Sequence, residues 1–246
     1  MTLEVIPIGI ENEIKQNDNL ADIILASKSR PVFQDGDILV FTQKIISKQE
    51  GQIVSLSDVH PTLLAIGIAS EYGKDPRIVQ LILEQSKRIV RMRNGIIISE
   101  TIHGFICANA GVDESNMEEG YATLLPRNAD ASANMLREQI KEKTGKNVAV
   151  VISDTFGRPF RQGQTNVAIG VSGIAALIDY AGTRDNFGRT LRVTAIAIAD
   201  ELCSASELVM GKSLHIPISI IRNYVFADVK STIHSIIRSR SDDLFR

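Results

Sequence analysis

Short runs of β-branched residues alternate with amphipathic stretches along this chain, and this alternation limits its fold more than any other feature. Such a pattern is typical of a mixed α/β (α+β) protein. The chain has 246 residues, a length that suits one large domain or two small lobes. No linker-like stretch divides it, so we predict a single unit over residues 1–246 that consists of two closely packed lobes. The predicted strands are residues 3–8, 38–41, 88–93, 96–99, 147–152, 191–198 and 216–221.

Capping residues and glycines mark the predicted boundaries of helices and turns. Asp75 before Pro76 is a typical helix start, and Asn94-Gly95 is the strongest hairpin signal. Gly145 and Gly211 are each expected to end a helix. The predicted N-caps are Asn19, Asp75, Asp130, Asp200 and Asp228, the last one for a final helix that carries Ile233, Ile236 and Ile237. The charged tail, residues 238–246, is expected to be mobile.

Composition argues against several classes of protein. The formal net charge is −2 and no broad basic field is present, which disfavours nucleic acid as a partner. The longest charge-free stretch, residues 163–178, is too short and too polar to span a bilayer. No targeting segment is visible, so a cytoplasmic protein without membrane contact is expected. Cys107 and Cys203 lie far apart and are predicted to be buried free thiols of a reducing compartment.

The first candidate for chemistry is the polar segment after the predicted strand 38–41. Thr42, Gln43, Lys44 and Lys48 would place a hydroxyl, an amide and two ammonium groups in a loop at the carboxyl end of a strand. Such a cluster suits a polyphosphate, although a solvated connection fits as well. Neither a Walker A loop nor a dinucleotide-binding G-x-G-x-x-G motif is present.

The second candidate is the segment from Asn109 to Asn116, which follows an apolar run. A sharp turn at Gly111 would project Asp113 and Asn116 from one loop, where they offer hard oxygen ligands. An Asx-type turn or a helix cap is the structural alternative.

The third candidate is a carboxylate and a hydroxyl at the end of the apolar strand 147–152. Asp154 and Thr155 suit Mg²⁺ or Mn²⁺, and Arg158 or Arg161 could hold a phosphate or a carboxylate bidentately. Histidines with zinc-ligand spacing and a G-x-S-x-G nucleophile elbow are both missing. The residues alone therefore indicate a divalent metal with a phosphorylated ligand, and they do not identify a substrate.

Several ordered motifs resemble the family of coenzyme F420:L-glutamate ligases over nearly the whole chain. They are Gln34-Asp35-Gly36-Asp37, Gln43-Lys44-Ile45-Ile46-Ser47-Lys48, Asn109-Ala110-Gly111-Val112-Asp113, Ser153-Asp154-Thr155, Arg161-Gln162-Gly163, Ala199-Asp200-Glu201 and Val209-Met210-Gly211. The resemblance implies a GTP-dependent ligase that uses Mg²⁺ or Mn²⁺, often helped by K⁺. It would add L-glutamate through a γ-glutamyl amide bond to the deazaflavin precursor F420-0. The implied fold is an unusual α/β architecture with mixed sheets, in an intertwined homodimer.

The matching motifs also imply roles for individual residues. Asp113, Asp154 and Thr155 correspond to metal ligands. The implied nucleotide contacts are Gly9, Ile10, Glu11, Asn12, Thr42, Gln43, Lys48, Asn116, Val209, Met210, Gly211, Lys212, Ser213, Leu214 and His215.

Two loops depart from the family pattern. The N-terminal loop usually carries Gly-Leu-Pro, whereas this chain has Gly9-Ile10-Glu11-Asn12. The loop after Gly211 usually has an acidic or amide residue at the position of Lys212. Because an ammonium group cannot ligate a cation, the resemblance supports a second metal ion and guanine preference less than it supports the overall reaction.

The expected mechanism proceeds through an acyl phosphate. GTP would phosphorylate the carboxylate of the precursor, and the amine of glutamate would then displace phosphate. Metal held by Asp113 and Asp154 would offset the repulsion between the two anionic reactants, helped by Lys48 and by Arg158 or Arg161 as catalytic residues. A metal-dependent nucleotide or phosphate-ester hydrolase is the main alternative. A nucleotide-binding protein without turnover is the second.

Overall fold

A computed structural model of the chain describes residues 2–244, in which helices and strands alternate as predicted. The strands are β1 (Glu4–Ile8), β2 (Ile38–Thr42), β3 (Ile53–Ser55), β4 (Ser86–Arg93), β5 (Ile96–Thr101), β6 (Ile106–Ala108), β7 (Tyr121–Thr123), β8 (Ala149–Arg158), β9 (Arg161–Ser172), β10 (Ile178–Asp179), β11 (Ala195–Ile196) and β12 (Ile218–Arg222). The α-helices are α1 (Leu20–Ala26), α2 (Gln43–Gln49), α3 (Leu63–Tyr72), α4 (Pro76–Glu84), α5 (Ala129–Thr144) and α6 (Ile198–Met210). None of the helices described is long and apolar enough to cross a membrane.

A five-stranded mixed sheet forms the centre of the protein, in the order β1-β12-β2-β8-β9. Strands β2 and β8 are parallel, and the other neighbouring pairs are antiparallel. Residues 38–41 and 149–152 are fully buried, as expected for apolar runs at the middle of a sheet covered on both faces. The parallel register places Thr42 beside Ser153, so the two polar strand ends lie at the same edge. The predicted mixed α/β class is therefore confirmed.

A second apolar cluster lies around α3, α4 and the sheet β4-β5-β6. Its tight hairpin turn between β4 and β5 confirms the Asn94-Gly95 signal, because both residues have positive φ, as a type I′ turn requires. A short 3₁₀ turn follows β6, and Asp113 then forms an isolated bridge with Thr123 at the end of β7. Asp113 therefore lies at the border of this second cluster, beside its buried residues Val112 and Ala122, and its side chain faces the end of the central sheet.

Three of the predicted helix caps are wrong. Helix α5 is capped by Asn128, whose Oδ1 atom accepts from the backbone N–H of Ala131 at 3.0 Å. The carboxylate of Asp130 instead accepts from the N–H of Val171 in β9. Asp200 lies inside the first turn of α6 and accepts from the N–H of Ala168 at 2.9 Å. Both carboxylates thus accept a hydrogen bond from a backbone N–H group of β9 rather than from the first turn of their own helix.

Asp228 does not cap a final helix either, since the predicted helix is only a 3₁₀ turn, Ile233–Ile236. The side chain of Asp228 forms an ion pair with Arg137 of α5. Asn19 and Asp75 do cap α1 and α4, which confirms those two assignments.

Two predicted strands have different extents. Residues 191–198 were predicted as one strand, but only Ala195–Ile196 pairs, because residues 191–194 belong to an exposed turn-rich loop and Ile198 begins α6. Strand β8 does not stop at residue 152. It continues to Arg158 and forms a long hairpin with β9. The predicted mobile tail includes positions 245 and 246, which lie outside the described residues.

Candidate active site

A cavity of about 1260 Å³ opens where β2 and β8 end side by side. Five segments contribute to its lining: residues 10–14 throughout, and parts of residues 42–48, 107–116, 153–166 and 210–217. Ligand pockets are commonly about 300–1,000 Å³, so this cavity has room for more than one small substrate. Carboxyl ends of neighbouring parallel strands are also a common place for ligands in open α/β sheets.

Most of the residues predicted to form a site line this one cavity. They are Ile10, Glu11, Asn12, Thr42, Gln43, Lys48, Asp113, Asn116, Asp154, Thr155, Met210, Gly211, Lys212, Ser213 and His215. Gly9, Val209 and Leu214 are adjacent in sequence but lie outside the lining.

The two predicted catalytic arginines are placed elsewhere. Arg158 and Arg161 are exposed at the tip of the β8–β9 hairpin, outside the lining of the cavity. A guanidinium nitrogen of Arg158 donates to the backbone oxygen of Gln162 at 2.9 Å. Their catalytic role stays a prediction.

Asp113 is held by hydrogen bonds to both of its carboxylate oxygens. Oδ1 accepts from the backbone N–H of Ser115 at 2.8 Å, and Oδ2 accepts from Ser115 Oγ at 2.8 Å. Lys44 Nζ also donates to Oδ2 at 2.6 Å. Burial raises the pKa of Asp113, but the hydrogen bonds from Lys44 and Ser115 outweigh it and leave the pKa below its usual range. Asp113 is therefore a carboxylate at neutral pH.

Asp154 lies on β8 in a very different environment. Desolvation raises its pKa to about 6, and the negative charge of Asp113 adds to that increase. The backbone N–H of Thr155 and the charges of Lys44 and Lys212 oppose it. The two carboxylates thus line the same cavity and are close enough to repel each other.

Thr155 uses its hydroxyl group in two directions. It donates to Asn166 Oδ1 at 2.7 Å, across the β8–β9 ladder. It accepts from Lys212 Nζ at 2.6 Å. Asn166, which also lines the cavity, was not identified from the sequence.

The polar segment after β2 was predicted to be a loop, but it is helix α2. Lys44 and Lys48 are four residues apart on this helix, so both side chains lie on the face toward the cavity. Lys48 Nζ forms an ion pair with Glu13 Oε1 at 2.7 Å, and its side chain is only 10% exposed. Hydrogen bonding to Lys48 lowers the pKa of Glu13. Sequence reasoning missed Glu13 altogether.

Cys107 and Cys203 are both buried and free, as predicted. Cys107 lines the cavity, but burial and the nearby charge of Asp154 raise its thiol pKa to about 12. A thiol with so high a pKa is not a nucleophile at neutral pH.

The donor set suits a hard cation that shares its coordination with a ligand. Among the described residues, no three His, Cys, Asp or Glu side chains cluster closely enough to form a metal site of their own. Mg²⁺ commonly binds through one or two carboxylates together with water and substrate phosphates. Asp113 and Asp154 supply that number, and the raised pKa of Asp154 indicates a carboxylate that a cation would stabilise.

Comparison with known proteins gives full-length matches. Residues 9–223 match the family described as F420-0:Gamma-glutamyl ligase. Coenzyme F420:L-glutamate ligase from Methanothermobacter thermautotrophicus is 44% identical over 246 residues, which covers 97% of this chain and 98% of that protein. The protein of the same name from Methanocaldococcus jannaschii is 45% identical, covering 97% and 96%. That from Archaeoglobus fulgidus is 40% identical, covering 100% and 97%.

Proposed function

The chain belongs to the F420-0:gamma-glutamyl ligase family, and we propose that it joins L-glutamate to the deazaflavin precursor F420-0 through an amide bond. We further propose that GTP supplies the energy, by way of an acyl phosphate. Amide formation from a free carboxylate needs such activation, because a carboxylate is a poor acyl donor.

The observation that carries this proposal is the charge arrangement in the cavity. The lining contains three ammonium groups and four carboxylates. The ammonium groups are those of Lys44, Lys48 and Lys212, and the carboxylates are those of Glu11, Glu13, Asp113 and Asp154. Glu13 is paired with Lys48 and Asp113 with Lys44. A triphosphate and a substrate carboxylate are both anionic, so a site that brings them together must supply positive charge. The ammonium groups do so directly, and the aspartates do so by holding a cation.

The proposed reaction has two steps. In the first, a carboxylate oxygen of the precursor attacks the γ-phosphorus of GTP, and the bond to the β-phosphate oxygen breaks, which gives an acyl phosphate and GDP. In the second, the amine of glutamate attacks the acyl carbon and phosphate leaves, with loss of the amine proton. Mg²⁺ or Mn²⁺, when bound, would stabilise charge on the transferred phosphoryl group.

The protein's own side chains would bind and orient the reactants. Asp113 and Asp154 would hold the cation, and Lys48 would neutralise a phosphate after exchanging its ion pair with Glu13. Thr42 and Gln43, where β2 passes into α2, would contribute a hydroxyl and an amide to nucleotide binding. Correct positioning can supply about 7–11 kcal/mol to a reaction of two bound substrates.

The decisive experiment is incubation of the purified protein with F420-0, L-glutamate, GTP and Mn²⁺, with the product measured by mass spectrometry. We expect mass increases in steps of one glutamyl group with release of GDP, and much less product when ATP replaces GTP. Asp154→Asn should abolish product, whereas Asp58→Asn, at an exposed site outside the cavity, should not. Release of phosphate without glutamate or F420-0 would instead support the hydrolase alternative.

The quaternary structure and the helper ion are separate proposals. An intertwined homodimer predicts twice the mass of the 26.9 kDa chain in light scattering. Stimulation by K⁺ predicts faster turnover in KCl than in an equal concentration of NaCl.

A further inference from the structure

Lys212 lies beside a residue that the sequence assigned to metal binding. Its Nζ atom is 2.6 Å from Thr155 Oγ1, 3.4 Å from Asn166 Oδ1 and 3.7 Å from Glu207 Oε1. It carries a favourable electrostatic interaction with Asp154 as well. The ammonium group therefore occupies an oxygen-lined position next to the proposed cation site.

We propose that Lys212 is a built-in cation that takes the place of a second metal ion beside Thr155, so that the site binds one divalent cation per chain, at Asp113 and Asp154. This inference rests on the proposed function, because it concerns the same cavity. It assigns to Lys212 a task that differs from a simple nucleotide contact.

The hydrogen bonding of Thr155 is the first argument. Its hydroxyl proton is donated to Asn166, and one of the two lone pairs on its oxygen accepts from Lys212, so a metal ion could use only the remaining lone pair. A metal ion bound to this oxygen would lie beside the ammonium group. Two cations at such a distance repel each other, and solvent screens only part of this repulsion, since the side chain of Lys212 is 61% exposed.

The contrast with Asp154 is the second argument. Among residues 2–244, the carboxylate of Asp154 has no ion-pair partner within 4.0 Å, whereas Asp113 is paired with Lys44, and Thr155 accepts a hydrogen bond from Lys212. Of the three residues that the family resemblance assigns to the metal, only Asp154 is therefore without a direct contact with an ammonium group. A cation would displace Lys44 from Asp113, whose negative charge attracts it, whereas the neutral hydroxyl of Thr155 offers no such charge. A single divalent ion shared by Asp154 and Asp113 matches the two negative charges of these carboxylates once Lys44 has moved away from Asp113.

The position of Lys212 in the chain makes it suitable for this task. It follows Gly211, which ends α6 with a positive φ of 57° and turns the chain over the cavity. An ammonium group on this turn can also donate hydrogen bonds to a phosphate oxygen. The positive charge of Lys212 would then offset negative charge on the phosphates of the nucleotide, and no second metal ion would be needed there.

The test is the number of Mn²⁺ ions bound per chain in the presence of saturating GDP, measured by equilibrium dialysis and by electron paramagnetic resonance. We expect one ion for the wild-type protein. Lys212→Glu, which replaces the ammonium with a metal ligand, should bind two, and two ions about 3.5–4 Å apart should couple magnetically. Lys212→Gln, a smaller change in charge, should also raise the number. Lys230→Glu, an exposed lysine outside the cavity, should leave it at one.

Several outcomes would overturn the inference. A wild-type protein that binds two ions, or none, would refute it. So would two Lys212 variants that each bind one ion while binding GDP normally in calorimetry. The wild-type number decides the matter even if a variant does not fold. The ligase assay is independent of this number. Product formation by a protein with two bound ions would refute this inference alone, and absence of product with one bound ion would refute the proposed function alone.

Discussion

Replacing Asp154 by asparagine should stabilise the metal-free protein at neutral pH and abolish its activity. The carboxylate of Asp154 is desolvated, and its pKa is raised from 3.8 to about 6. Asparagine has nearly the same shape and can still accept the backbone N–H of Thr155 through its side-chain oxygen. It carries no charge, so the cost of ionising a desolvated group disappears.

The direction and size of the effect follow from linkage. Between pH 3.8 and about 6 the unfolded state loses this proton before the folded state does, so the free energy of unfolding falls as pH rises. Above about pH 6 the loss is constant. A shift of about two pKa units corresponds to about 3 kcal/mol near pH 7.5, and to about half of that near pH 5. Screening by solvent at the cavity mouth would reduce both free-energy differences by the same factor.

The assay is urea unfolding of wild type and Asp154→Asn after treatment with EDTA, at about pH 7.5 and about pH 5. The variant should be more stable at both pH values, and its advantage should be larger at the higher one. In thermal unfolding, about 3 kcal/mol corresponds to roughly 6–12 °C for a chain of this size. Added Mn²⁺ should stabilise the wild type more than the variant. A variant that is less stable than wild type without metal, or an advantage that does not depend on pH, would refute the reasoning.

Three further predictions concern nucleotide binding and packing. Lys48→Ala should weaken GDP binding at least tenfold in calorimetry, because a buried ammonium group is lost from the proposed nucleotide site. Unchanged affinity would exclude that role. Gly170→Ala should lower the free energy of unfolding by about 1–3 kcal/mol, because the Cβ of the new alanine would lie 2.5 Å from the backbone of α5. Gly67→Ala is the control and should not destabilise the protein, because nothing lies within 4 Å of the added Cβ. Arg222→Met should cost about 3–5 kcal/mol in urea unfolding, because it leaves Asp37, which is only 1% exposed, without its ion-pair partner; a loss below about 1 kcal/mol would contradict this.

Two strands of the central sheet could be predicted from the sequence, because strands that are buried on both faces consist of apolar residues throughout. Residues 38–41 and 149–152 are apolar throughout, and both are fully buried. The misassigned caps show the limit of local patterns. Asp130 and Asp200 have the residue type of an N-cap, but each accepts from an N–H of β9, which lies more than thirty positions away. Local sequence cannot show which distant N–H group needs an acceptor.

The candidate site was predictable in its residue types and less so in its contacts. The carboxyl ends of strands identified Asp154 and the segment after residue 41, but that segment is a helix rather than a loop. The spacing of four between Lys44 and Lys48 was an available signal, since it places both on one helical face. The pairing of Lys48 with Glu13 gave no such signal, because it joins two segments 35 positions apart.

Lys44 bridges the two parts of the protein that carry the proposed metal ligands. Asp113 is delivered by the second apolar cluster, whereas Asp154 and α2 belong to the central sheet and its connections. Lys44 Nζ joins the two parts by donating to Asp113 Oδ2, to Ser115 Oγ and to the backbone oxygen of Ser115, at 2.5–2.8 Å. A cation shared by Asp113 and Asp154 would link the same two parts and would compete with Lys44 for the same oxygen. Lys44 and the cation therefore have interchangeable structural effects, and an ammonium displaced from Asp113 would still lie in the cavity, where a phosphate is its natural partner.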